Sequence, residues 1–415
     1  MTRATLLFAL AIACAGTHAQ ATLHAAERQA PAAAPRPGLG VQIDFGAVWR
    51  AVRALAPRVP HATHADNRLL ALYELRGPPL DQQQLLQGTS LRVVADIELP
   101  QLGLRLLELQ ADAGTVEAVL PALRQAFPQV TFDLDALWFT QVTPTADEPV
   151  GRVYASRMLG LETPAPLARP VRVAVLDGDL DESVGLEAAV IARARFGEPE
   201  AGIEHGTAVA CLLACRTRSD GQRQFFGLAQ GLALLHAAVL QHGPDGHARA
   251  RTAAVLRGLD WALAQGAEIV NISLASAPNA VTERAIRAAL PRLSALVAAA
   301  GNGGERGPPV YPAAISGVIA VSAVDAQSRP YQDGSRGPHL VLAAPGVDLW
   351  LPRSKRTPGG YVSGTSYAAP LAAAVIAQRL ARGLPGDADS MCRAALDLPP
   401  AGRDEITGCG LVQLR

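Results

Sequence analysis

Val171-Arg172-Val173-Ala174-Val175-Leu176-Asp177-Gly178-Asp179 decides the fold: a near-continuous apolar run ends on a carboxylate and a glycine. A strand apolar on both faces belongs inside a parallel sheet covered by helices. The same grammar returns at Leu232 to Leu240, Ile269 to Leu274, Leu296 to Ala300, Val318 to Val324 and Val341 to Ala344. Between them, Thr207 to Cys215, Ala250 to Gln265 and Val281 to Leu290 read as helices. Strands alternating with helices predict an α/β domain over residues 170–415, its mostly parallel central sheet flanked by helices. Sites in such sheets form beyond the carboxyl ends of the strands, so the chemistry is sought there.

Four residues meet that condition. Asp177 directly follows the first strand. His205 opens His205-Gly206-Thr207 at a helix start, where Gly206 allows close backbone approach. Ser366 lies in Gly364-Thr365-Ser366-Tyr367-Ala368-Ala369-Pro370 and opens an Ala-rich helix, whose first-turn amides and dipole favour an oxyanion. Asn302 follows the strand Leu296 to Ala300 and offers a side-chain amide as a second oxyanion donor.

In this order, and in these strand-to-helix settings, the blocks resemble the subtilisin-like serine proteases. Gly227 to Ala233, Asn271 to Ala275 and Ala344-Pro345-Gly346 add to the likeness, which covers roughly residues 165–415. The resemblance implies a triad of Asp177, His205 and Ser366, an oxyanion donor in Asn302, and substrate binding along Ser273, Leu274, Ala275, Ala300 and Gly301. It implies peptide hydrolysis through an acyl-enzyme. Two positions depart from the pattern. Gly178-Asp179 stands where Thr-Gly or Ser-Gly is common, so Asp179 is a rival carboxylate to Asp177. Leu274-Ala275 stands where Leu-Gly is commoner, and the extra methyl narrows the cleft. Two other classes of function stay open. One is a non-catalytic relative that binds peptides in the same cleft, although no triad residue is lost. The other is an esterase, although the Gly-x-Ser-x-Gly elbow is absent around Ser366.

Ahead of this domain the chain divides by composition. Arg3, the apolar run Ala4 to Ala15 and the small residues Thr17 to Ala19 predict a signal peptide over residues 1–19, and lipid attachment at Cys14 is the alternative. Residues 20–40 read as a disordered leader. Residues 41–142 read as an α+β region, with an amphipathic helix at Asp44 to Leu55, strands at Leu104 to Leu109 and Val130 to Trp138, and a helix at Thr115 to Phe127 between those strands. That arrangement resembles the family's inhibitory prodomain, which implies that the chain is its own partner until cut. Residues 143–169 read as a linker, and self-processing is expected between Thr140 and Arg169.

The formal net charge of zero, with no long run of one sign, argues against a polyanionic partner such as nucleic acid, which would need a basic face. No apolar run is long enough for a stable membrane span, and the uncharged stretch Pro358 to Gln378 reads as a buried core segment. An exported monomer, secreted or periplasmic and acting on protein or peptide substrates, is expected. No Cys/His spacing suggests zinc, so neither metal nor cofactor is expected. Asp179, Asp181 and Glu182 read as a solvated turn rather than a cation site. Cys392 pairs best with Cys409, while Cys211 and Cys215 on one helix read as unbonded buried side chains. The remaining histidines, His236 among them, read as surface or core residues.

Overall fold

The apolar runs of the first strands are explained by where they lie in the computed structural model, which describes residues 63–112, 116–140, 143–144, 154–161, 166–219, 223–352, 354 and 359–414. The expected signal peptide, leader and Asp44 to Leu55 helix lie outside these residues. The N-terminal unit comprises β1 (His64–Glu74), α1 (Gln82–Leu86), β2 (Leu91–Leu99), β3 (Leu104–Ala111), α2 (Val116–Ala126) and β4 (Thr131–Thr140). Its strands are antiparallel in the order β4-β1-β3-β2. Leu69, Ala71, Leu107 and Leu109 face α2 in one core. Leu70, Leu72, Leu104 and Leu106 face the larger domain in another. The sheet is thus apolar on both sides.

The segment expected to be a featureless linker holds β5 (Thr143–Pro144) and α3 (Tyr154–Met158). The Tyr154 hydroxyl donates to Val347 O, which ties α3 to the following domain.

That domain begins with β6 (Arg172–Asp177) and β7 (Val190–Arg195). It continues through α4 (Ile203–Ala214), the hairpin β8 (Arg216–Ser219) and β9 (Arg223–Phe226), then β10 (Ala233–Ala238), β11 (Gln241–His242), β12 (Ala248–Arg251) and α5 (Thr252–Ala264). Next come β13 (Ile269–Ile272), β14 (Leu274–Ala275), α6 (Ala280–Ala289), β15 (Ala295–Ala299), β16 (Ile319–Val324) and β17 (Leu340–Pro345). The last elements are β18 (Leu349–Leu351), β19 (Gly360–Ser363), α7 (Thr365–Ala381) and α8 (Ala388–Ala394).

The seven-stranded main sheet runs β17-β16-β15-β13-β6-β10-β7, and every pairing in it is parallel. The order reverses beside β6, which opens a crevice at the carboxyl ends of β6 and β13. One face of the sheet is covered by α4 and α7, the other by α5 and α6. Helix α7 is buried on nearly all sides, which explains its Ala-rich sequence with Arg379 in the last turn as its one charge. The disulfide Cys392–Cys409 ties α8 to the C-terminal segment, with Cα atoms 5.2 Å apart.

The expectation for Cys211 and Cys215 is overturned, because the two are bonded to each other. Helix α4 ends at Ala214, and Cys215 takes extended backbone with φ −58° and ψ 143°. The Cα atoms of Cys211 and Cys215 lie 4.2 Å apart, closer than residues four apart in a regular helix.

Candidate active site

Asp177 is the last residue of β6 and is fully buried. Its Oδ1 accepts from the Gly178 amide at 2.6 Å and lies 2.6 Å from His205 Nδ1. His205 sits in the first turn of α4, and its Nε2 has no hydrogen-bond partner among the described residues. Gly206 has the role expected of it. A Cβ there would lie 2.5 Å from Asp179 O and 2.6 Å from Gly178 O, so only glycine lets α4 meet the loop after β6 this closely.

Ser366 is the second residue of α7. Its hydroxyl donates to Ser273 O at 2.9 Å, while the Ser273 hydroxyl donates back to Ser366 O at 2.8 Å. This reciprocal pair fastens the start of α7 to the end of β13, and Asn271 Nδ2 supports it by donating to Ser273 Oγ at 3.0 Å. Tyr367 packs beside His205 with ring centroids 5.7 Å apart. Asn302 Oδ1 accepts from Thr365 N at 3.2 Å and from Thr365 Oγ1 at 3.0 Å, and Gly301 N donates to Thr365 Oγ1 at 3.1 Å. Thr365 therefore holds the turn after β15 against the nucleophile helix, with the amide nitrogen of Asn302 directed away from Thr365. The structure thus brings Asp177, His205, Asn302 and Ser366 to one edge of the sheet. Ser273, Leu274, Ala275, Ala300 and Gly301 lie beside them.

The reading of Asp179 as part of a solvated turn is corrected: its side chain is only 5% exposed. Arg193 and Arg195 donate to its two oxygens at 2.8 and 2.9 Å, and the Glu200 amide donates at 3.0 Å. Glu182 pairs with Arg193 as well, so two arginines answer this acidic cluster. Burial pushes the Asp179 carboxyl up, but the amides of Glu200 and Leu180 and the Arg195 guanidinium outweigh it, and the group titrates below the ordinary range. A carboxyl depressed in the folded state stabilises the fold above its unfolded value of about 4 and loses that contribution as pH falls through its folded value. Asp179→Asn is therefore expected to flatten the acid limb of the stability curve below pH about 4, measured as chemical-denaturation midpoint against pH. An unchanged acid limb would contradict it.

Sequence reasoning missed three supports of the site. His236 on β10 is fully buried and donates from Nε2 to Gly178 O at 2.8 Å, so it braces the loop behind Asp177. Burial holds its imidazole below the ordinary value and hence neutral. Thr365 was not singled out, although its place beside Ser366 was a signal. The third is the chain itself. Strand β4 lies antiparallel between β12 and β14, with Phe139 opposite both Arg249 and Ala275 and Thr140 opposite Leu274. Thr143 then pairs with Ser363, three residues before Ser366. The N-terminal unit thus ends against the strand that follows Ser273, and the chain pairs again at Ser363, shortly before Ser366.

An aspartate–histidine pair beside a helix-borne serine, at the carboxyl edge of a parallel sheet, is the arrangement of the serine hydrolases. The Subtilase family profile matches residues 171–396, just over half of the 415 residues, and the chain belongs to that family. It is 35% identical to subtilisin BL of Lederbergia lenta over 218 residues, which span 50% of this chain and 77% of that protein. It is 36% identical over 211 residues to a thermostable alkaline protease of Halalkalibacterium halodurans, covering 50% of this chain and 55% of the other. With the minor extracellular protease Epr of Bacillus subtilis it shares 31% identity over 220 residues, 51% of this chain and 32% of Epr. The chain thus spans from a third to about half the length of the last two relatives. Fervidolysin from Fervidobacterium pennivorans, a keratinolytic enzyme related to subtilisin, has a similar structure. Its TM-score is 0.68 at 21% identity, covering 85% of this chain and 61% of that one, a likeness that carries the fold.

Proposed function

We propose that the chain is the exported precursor of a serine endopeptidase that cuts itself between Thr140 and Thr143. The observation that carries this reading is the 2.6 Å Asp177–His205 bond next to Ser366, at the point where the chain's own strand passes. For attack, the Ser366 hydroxyl turns from Ser273 O and gives its proton to His205 Nε2 as Oγ bonds to the peptide carbonyl carbon. Asp177 holds the imidazole in the tautomer that leaves Nε2 an acceptor, and it balances the charge that forms. The Asn302 side-chain amide and the Ser366 backbone N–H receive the oxyanion. His205 then gives the proton to the leaving amine. Water repeats the cycle and releases the acyl group as a carboxylic acid.

The apolar N-terminal run supports export, and no helix of the described residues is long and apolar enough to cross a membrane. The pairings of Thr140 with Leu274 and of Thr143 with Ser363 support a much narrower cutting window than the sequence alone. N-terminal sequencing of the processed chain is expected to give a start at residue 141, 142 or 143. Wild-type protein that stays intact, or that starts elsewhere, would refute the self-cleavage.

A further inference from the structure

The socket that holds Asp135 belongs to the domain that remains after such a cut, while Asp135 belongs to the strand that leaves. Asp135 lies in β4 three residues before Trp138, and its side chain is completely buried. Arg251 Nε donates to its Oδ2 at 2.6 Å, and the Thr252 amide donates to its Oδ1 at 3.2 Å. Thr252 is the first residue of α5, and Arg251, at the N-cap position, makes no side-chain cap bond. The carboxylate of Asp135 thus does the capping from another strand, at the positive end of a 13-residue helix. The Thr252 hydroxyl also donates to Ala136 O at 3.1 Å and accepts from Trp138 Nε1 at 3.2 Å. Two adjacent residues therefore recognise an acid, a backbone carbonyl and an indole along one strand.

Arg251 makes one further carboxylate contact, to Glu108 of β3 at 2.6 Å, and Arg68 of β1 reaches that same Glu108 at 3.4 Å. Both acids depart with residues 63–140, which strips a half-buried arginine of the carboxylates it holds here. A half-buried guanidinium beside helix amides binds the next carboxylate that reaches it.

We propose that Arg251 and the Thr252 amide form an anion-reading specificity site, selecting extended peptides with Asp or Glu three residues before an aromatic residue. A substrate strand laid between β12 and β14 in the register of β4 places those two side chains where Asp135 and Trp138 lie. Arg251 is then a specificity residue well upstream of the cut bond. The proposal rests on the endopeptidase reading above.

The test uses processed enzyme made from the full chain and quenched fluorescent peptides copying Leu134 to Pro144, with Asp135 kept or replaced by Asn or Ala. The Ala peptide is expected to lose about tenfold in kcat/KM, mainly through KM, with the Asn peptide between. The ratio of acid to Ala peptide shrinks as salt rises and approaches one for Arg251→Gln enzyme. Equal kcat/KM for the acid and Ala peptides on wild-type enzyme overturns the proposal without needing the Arg251 variant to fold. A ratio unchanged in Arg251→Gln also overturns it. Casein digestion by the same preparation separates the two readings: with digestion intact, equal peptide rates defeat only the anion site. No digestion and no peptide cleavage defeat the endopeptidase reading and the site with it.

Discussion

Ser366→Ala is expected to lower kcat for peptide hydrolysis by at least about 10⁴-fold and to leave the chain at full length, with its fold kept. The substitution removes one buried hydroxyl, which donates to Ser273 O at the end of β13. Losing such a neutral hydrogen bond costs about 1 kcal/mol, a small part of the stability of a domain this size. The return bond from Ser273 Oγ to Ser366 O uses the backbone and survives the change. Activity and stability therefore separate, which a purely structural serine would not allow. A fluorophosphonate probe measures the first property, because it bonds only to an activated hydroxyl. Intact mass measures self-cleavage, and thermal melting measures the fold. Wild-type protein should label at one site and shorten, and Ser366→Ala should do neither while melting within a few degrees of wild type. Equal labelling of the two proteins would remove Ser366 from the mechanism. A peptide-binding relative without catalysis would leave even the wild type unlabelled.

Much of this site was legible because strand ends in a parallel sheet are fixed points. Val171 to Leu176 is apolar throughout, so it had to be central, and whatever followed it had to stand at the crevice. The same logic placed Asn302 after β15 and Ser366 at the head of α7. What stayed hidden depends on contacts between distant segments. Strand β1 escaped because Leu69 to Tyr73 is buried on both faces and shows no alternation to read. Ala248 to Arg251 alternates small residues with arginine, and its last two residues read locally as the start of the following helix, since the strand exists through pairing with β4. Nothing local distinguishes Cys215 as leaving its helix, so the bond to Cys211 was unforeseen. Asp179 looked solvated because Arg193 and Arg195, which bury it, lie a strand away on β7.

That last case bears on the sharpest ambiguity of the sequence, two carboxylates two residues apart, and the geometry gives them opposite fates under the same substitution. Asp177→Asn is expected to reduce kcat by about 10⁴-fold near neutral pH with little change in KM. An amide in place of Asp177 can turn its NH₂ toward His205 Nδ1, which becomes the acceptor. The ring proton then sits on Nε2, where the Ser366 hydroxyl must give up its own. The imidazolium formed during attack also loses the charge that balances it. Asp179 has no such path to the imidazole. Both its oxygens are engaged by Arg193, Arg195 and backbone amides, and its task is to hold β7 and the Glu200 turn to the loop after β6. Asp179→Asn should therefore keep kcat within a few-fold while lowering stability, because an arginine loses its counter-charge in a half-buried setting. Steady-state kinetics of both variants on one peptide, alongside their denaturation midpoints, decide between the assignments. A 10⁴-fold loss of kcat in Asp179→Asn, with Asp177→Asn nearly wild type, would exchange the two roles. The expected pairing is an inactive, stable Asp177→Asn and an active, weakened Asp179→Asn, because only the carboxylate 2.6 Å from Nδ1 is placed to select the imidazole tautomer.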